Sequence, residues 1–181
     1  WVFIDWAFID RKGECAAFNA IFYGALEAVA RMARECGQAN LAEEYDRLAA
    51  GIKAGFTKRF FDSRRGVFAD ANVKGKLSEM VSEHANVAAI LFGLCDAEKT
   101  SGIIRALYER KTVDATEATP FFSAVVLRAL EAAGRFDLAV QVILDRWGKR
   151  YVDRGHSSLC EEWGENGSWR DGPFKGFMRS Q

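Results

Sequence analysis

The alternation of short and long interruptions between helical stretches constrains this chain more than any other feature. From Glu14 onward, apolar residues recur in steps of four and three: Phe18, Phe22, Ala25, Val29, Met32 and Cys36, ending at Gly37. That period predicts a helix of about six turns, closed by a glycine at its C′ position. Asn40 with Glu43 three residues on reads as a capping box, and Leu41, Tyr45, Leu48, Ile52 and Phe56 carry a second stripe towards Phe60. After the stretch "DSRRGVFADANVKGK", a long loop with an extended bit at Val67 to Ala69, the helical pattern resumes at "SEHANVAAILFGL". Asp96 is a good N-cap for a return through Ile103, Ile104, Leu107 and Tyr108. Thr119 caps a fifth helix with Pro120 at its first position, running through Phe122, Val126, Ala129 and Ala133 to Gly134. Phe136, Val140, Ile143 and Trp147 form the last stripe.

Short turns at 37–40, 94–97 and 134–136 therefore alternate with long links at 61–81, 111–118 and 148–181. Six helices make three hairpins. Antiparallel neighbours reverse direction each time, so the short turns lie at one end of the array and the long links at the other. The segments "WVFIDW", "FADANVKGKLSEMVSE", "DATEATP" and "SSLCEEWGENGSW" should gather on one face. "AAFNAIFYGALEAVA" and "FFSAVVLRALEAA" are apolar on more than one side, which places them in the inner layer of something larger. No fixed-length repeat argues for a solenoid. The expected fold is all-α: helical hairpins forming part of an (α/α)6 toroid, with residues 1–181 a single partial domain holding roughly its second half.

Composition removes several classes of function. Lys plus Arg number 25 and so do Asp plus Glu, and the two signs are interspersed, so no field exists to hold a nucleic-acid backbone. No apolar run spans a bilayer, and no membrane partner is expected. Both ends look cut, "WVFIDW" lacking an initiator Met and "FMRSQ" any capping character, so the compartment stays open between the cytoplasm and periplasm of a bacterium. Cys15, Cys36 and Cys95 sit in helical apolar patterns and read, with Cys160, as structural thiols rather than a disulfide framework. With His84 and His156 as the sole histidines, no metal site is expected, and no cofactor motif is present.

The link face collects aromatic rings and acids: Asp5 with Trp6, Asp70, Glu79, Glu83, Glu117, Glu161, Glu162, Trp163 and Trp169. Flat aromatic faces suit the C–H side of a sugar ring and carboxylates its hydroxyls, so a neutral glycan is the expected ligand. Neither a phosphate-binding glycine loop nor a Gly-x-Ser-x-Gly elbow competes with that reading. Plainer roles stand beside it. Glu83 also fits a helix-start carboxylate, His84 a satisfied core residue and Glu117 a solvated loop charge. A non-catalytic helical scaffold for a protein partner is the rival class.

The arrangement resembles the six-hairpin glycosidase superfamily, and within it most closely the bacterial α-L-rhamnosidases. The resemblance is carried by "FIDW" at 3–6, the hairpin at 18–62, "SEHANVAAILFGL" at 82–94, "ATPFFSAVVLRALEAAGRFDLAVQVIL" at 118–144 and "SSLCEEWGENGSW" at 157–169. In that family the last motif usually reads like Thr-Thr-x-Trp-Glu-x-Trp, its Glu being the proposed general base. The resemblance therefore implies Glu161 as base, with Cys160 in place of the first Trp and Glu162 as the alternative. It implies Asp5 and Trp6 beside the sugar, the Trp as a wall. The family's general acid lies before the Asp-Trp motif and a sugar-binding His after the last motif; neither falls within this chain, so the remainder of the parent enzyme is an expected partner. Other six-hairpin enzymes, such as glucoamylase-like enzymes or unsaturated glucuronyl hydrolases, are the neighbouring alternatives.

Overall fold

A computed structural model describes residues 3–156, 159 and 163. Among them the chain forms α1 (Ala16–Glu35), α2 (Ala39–Phe60), α3 (Glu83–Leu91), α4 (Ala97–Ile104), α5 (Pro120–Ala132) and α6 (Phe136–Ile143). The last turns of α4 and α6 widen into π turns, Arg105–Glu109 and Leu144–Gly148. Helix α1 packs along α2 and α3, α3 along α5, and α5 along α6, so α1, α3 and α5 form a row with α2 and α6 behind it. Residues Glu83 to Ile90 of α3, the middle of the row, are all buried.

All three helices of the row end in the same turn. The amides of Gly37, Gly93 and Gly134 donate to the carbonyls of Arg34, Ile90 and Glu131, and the residues after them donate to Ala33, Ala89 and Leu130. These are Schellman closures, and the glycines have φ of +71°, +67° and +71°, where a side chain would be strained. The first closure also removes the expected capping box. Helix α2 already begins at Ala39, so Asn40 lies inside its first turn, and its N-cap, Gln38, makes no side-chain bond.

The link at 61–81 is not irregular. It folds into a hairpin of β2 (Phe61–Asp62) and β3 (Val67–Phe68), and into a sheet in which β4 (Ala71–Val73) lies between β1 (Glu14–Cys15) and β5 (Lys76–Leu77). Lys74 and Gly75, with φ of 52° and 87°, make the tight turn between β4 and β5. Alternation over two or three residues is too short to announce a strand. The link at 111–118 lacks regular structure apart from one parallel bridge, Ser82 to Thr116.

Two helices bury a face other than the one their largest apolar residues predict. On α1 the stripe Phe22, Val29 and Met32 is exposed, as is Cys36, whereas Ala16, Ala17, Ala20, Tyr23, Leu26, Ala30 and Ala33 are buried. On α6, Phe136, Val140, Ile143 and Leu144 are exposed, whereas Val142 and Arg146 are buried. Small residues let neighbouring backbones approach closely. Gly24 of α1 shows how closely: a Cβ there would lie 2.3 Å from the Phe92 ring. Helix α5 follows its predicted stripe, with Phe122, Val126 and Ala129 buried.

Candidate functional site

The row begins on the link face. The Ala16 amide donates to the Asp70 carbonyl, the Glu83 amide to the Thr116 carbonyl, and the Thr119 amide to the Asp5 carboxylate, so the first turns of α1, α3 and α5 are tied to three different links. Helix N-termini carry partial positive charge, and three of them face the region where the links meet. The gathering of links expected from spacing is present for Asp5, Asp70, Glu83, Glu117 and Trp163.

Asp5 is 3% exposed and accepts four hydrogen bonds. Oδ1 accepts from the Trp6 amide at 2.9 Å and from the Thr119 hydroxyl; Oδ2 accepts from the Thr119 amide at 2.8 Å and lies 2.6 Å from His84 Nε2. All lone-pair directions of the carboxylate are thereby used, and Asp5 acts as the knot joining the lead-in to α3 and α5. The resemblance placed Asp5 beside the sugar; in this structure its two oxygens are occupied by protein donors. His84 is a core residue, as predicted, with its ring 4.5 Å from that of Phe122, but it is only half satisfied: Nε2 meets Asp5, whereas the buried Nδ1 has no partner among the described residues.

Trp6 is half-buried beside this knot. Its ring stands edge-on to Phe3 at 4.7 Å, and Phe3 packs against Phe121 at 5.5 Å. Phe121 is 58% exposed although it follows the helix start at Pro120. These three rings form the aromatic surface of the link face, and Phe121 is a member that sequence reasoning did not single out. The signal was available: an aromatic residue at the second position of a Pro-started helix points back towards the helix N-terminus.

Glu83 is buried and fully engaged. Arg146 donates to both of its oxygens, at 3.0 and 2.5 Å, and the Ala118 amide donates to Oε2 at 2.8 Å. Arg146 Nε also meets Glu117 at 2.7 Å, and Arg150 meets Glu117 at 3.0 Å. Glu117 is thus part of an ion-pair chain, not the solvated charge expected of it. Both acids are held in ion pairs with guanidinium groups. The Tyr108 hydroxyl lies near Glu83, and burial, with that carboxylate next in weight, pushes its pKa well above the ordinary tyrosine value. A cleft of about 530 Å³ opens beside this chain, bounded by the π turns of α4 and α6 and by residues 111–115.

Trp163 is 6% exposed, with Nε1 donating to the Ala118 carbonyl at 2.6 Å. Its ring meets Trp147 at 5.0 Å and Tyr151 at 5.8 Å, and the Arg150 guanidinium lies over it at 4.9 Å. The indole is anchored on several sides by these contacts. Glu161, Glu162, Trp169 and Cys160 lie outside the described residues. Asp70, at 0% exposure, is a further buried acid: burial raises its pKa, and the Ser82 hydroxyl, the Asp10 amide and nearby His84 offset part of that rise. Among the described residues no three His, Cys, Asp or Glu side chains form a metal-binding group, and no helix is long and apolar enough to cross a membrane.

Helical hairpins whose acid- and aromatic-bearing links converge over helix N-termini form the fold of a glycoside hydrolase domain. Residues 5–124 match the family described as the mannosylglycerate hydrolase MGH1-like glycoside hydrolase domain, and the chain belongs to that family. Among solved structures it is similar to a rhamnosidase from Klebsiella oxytoca with rhamnose bound, with a TM-score of 0.81 and 21% identity over 100% of this chain. The chain spans 33% of that rhamnosidase's length. No curated protein matches it significantly.

Proposed function

We propose that the chain is part of the catalytic domain of an inverting glycoside hydrolase acting on an α-L-rhamnoside, with Glu161 as general base and Glu162 as the alternative. In such a reaction a carboxylic acid protonates the leaving oxygen while a carboxylate about 6.5–9.5 Å away activates water on the opposite ring face. The observation that carries the reading is the hydrogen bond from Trp163 to Ala118. It ties the chain two residues after Glu161 to the peptide next to Thr119, where Asp5 and Trp6 arrive from the other end of the sequence. The exposed rings of that face supply the flat apolar surface a sugar requires.

The general acid comes from outside this chain, so the 181-residue piece is inactive by itself. The exposed apolar stripes of α1 and α6 support a larger parent domain, in which further hairpins would cover them. Aryl α-L-rhamnoside tests both statements. Turnover by the isolated chain that disappears in Glu161→Gln overturns the claim of inactivity, and full activity of the parent enzyme carrying Glu161→Gln removes Glu161 from the mechanism. The family match supports a second substrate, a mannosylglycerate-type glycoside. Relative kcat/KM of the parent enzyme on the two substrates decides between them.

A further inference from the structure

The π turn that ends α6 carries more polar contacts than a helix terminus needs, and they converge on one side chain. Arg146 commits Nη1 and Nη2 to Glu83 and Nε to Glu117. Glu83 Oε2 also accepts the amide of Ala118, and the carbonyl of Ala118 receives the Trp163 indole. Arg150, one turn later, grips Glu117 with both oxygens 3.0 Å away and lies over the face of the same indole. Trp147, between the two arginines, packs edge-on against that indole at 5.0 Å. Three residues of one terminus thus reach Trp163 by three routes: through the Ala118 peptide, from above the ring, and against its edge.

We propose that Arg146, Trp147 and Arg150 form a seat that holds Trp163, making the two arginines positioning residues for a reaction assigned to Glu161, two positions earlier in the sequence. A helix without the widened turn would advance each of these side chains by one position and point them elsewhere; π turns are uncommon and recur at functional sites for that reason. Ion pairing accounts for two guanidiniums beside two carboxylates, but not for the placement of Arg150, which also lies over the face of the indole. The catalytic part of the proposal rests on the assignment of Glu161 above; the seat itself does not.

The test separates the two. With ¹⁵N-labelled tryptophan, the indole resonance of Trp163 is assigned by its disappearance in Trp163→Phe, and its hydrogen exchange is measured in the full chain. Arg150→Gln, which leaves the buried Glu83–Arg146 pair intact, should speed that exchange about tenfold, the loss of roughly one net interaction, while helical circular dichroism stays unchanged. Glu83→Gln with Arg146→Gln removes both buried charges together and should do the same without stranding either. In the parent enzyme Arg150→Gln should lower kcat about tenfold with KM within about twofold, and Arg150→Lys should recover part of the loss, since it keeps the charge without the planar stack. Unchanged indole exchange in both folded variants overturns the seat. Faster exchange with undiminished kcat leaves the seat standing and overturns the positioning role of the arginines, whereas Glu161 itself stands or falls with Glu161→Gln in the parent enzyme.

Discussion

Asp5 offers the sharpest test of how the link face is built, because its four donors come from three parts of the chain. Replacement by Asn keeps the shape but turns one oxygen into an NH2 group. If the nitrogen takes the Oδ1 position it meets the Trp6 amide; if it takes Oδ2 it meets the Thr119 amide. The Thr119 hydroxyl and the His84 ring can each turn to accept, but a backbone N–H cannot, so either orientation strands one buried amide. That costs about 1–3 kcal/mol. For a chain of this size each kcal/mol moves the melting temperature by about 2–4 °C, so Asp5→Asn should melt about 3–10 °C lower. Asp5→Ala strands every donor and should cost more than about 4 kcal/mol, and Thr119→Val, which removes the hydroxyl bond alone, about 1 kcal/mol. Thermal unfolding of the three variants and of the Asp5→Ala/Thr119→Val pair gives the coupling directly. If Asp5→Ala melts like the wild type while rhamnoside binding by the parent enzyme weakens, Asp5 faces the sugar and the knot described above is wrong.

Three further outcomes follow from particular contacts. Gly24→Ala places a methyl 2.3 Å from the Phe92 ring and should destabilise by about 1–3 kcal/mol in urea unfolding, with Phe92→Leu relieving much of it; equal stability of Gly24→Ala and the wild type removes the close approach of α1 to α3. Burial raises the Asp70 pKa above its ordinary 3.8, so the folded chain holds a proton there that the unfolded chain releases; the stability Asp70 contributes is complete below 3.8 and is lost as pH rises through the raised value. Asp70→Asn should therefore gain on the wild type as pH increases from about 4 to 7, and a pH-independent gap between their urea midpoints refutes the burial argument. Met32→Lys, on the exposed stripe of α1, should leave the melting temperature of the isolated chain within about 1–2 °C but destabilise the parent enzyme, where that stripe is covered; identical effects in both contradict the closing of the array by further hairpins.

Helix positions and ends were open to inspection because they rest on local chemistry. The glycines at 37, 93 and 134 terminate helices for the same conformational reason wherever they occur, and Asp96 caps α4 by accepting the Lys99 amide as any good N-cap does. From those ends, reversal of direction alone placed the links together, and with them Asp5, Asp70, Glu83, Glu117 and Trp163. Which face each helix buries was less accessible. Phe22, Val29 and Met32 form a sound apolar stripe, but burial needs a partner, and within this chain the alanine face of α1 found α2 and α3 instead.

Least accessible was which acids remain free. Glu83 and Glu117 resemble any other link carboxylates in the sequence, and Arg146 resembles any other polar residue in an amphipathic helix. Only the fold brings that arginine, 63 positions from Glu83, within 2.5 Å of it and turns both acids into structure. The sequence by itself determined the rods, their stops and the end at which the acids collect, since these depend on neighbours a few residues away. Tertiary structure decided which carboxylates are neutralised by a distant guanidinium and which aromatic rings stay open, because pairing and exposure are properties of groups far apart in the chain that share one space.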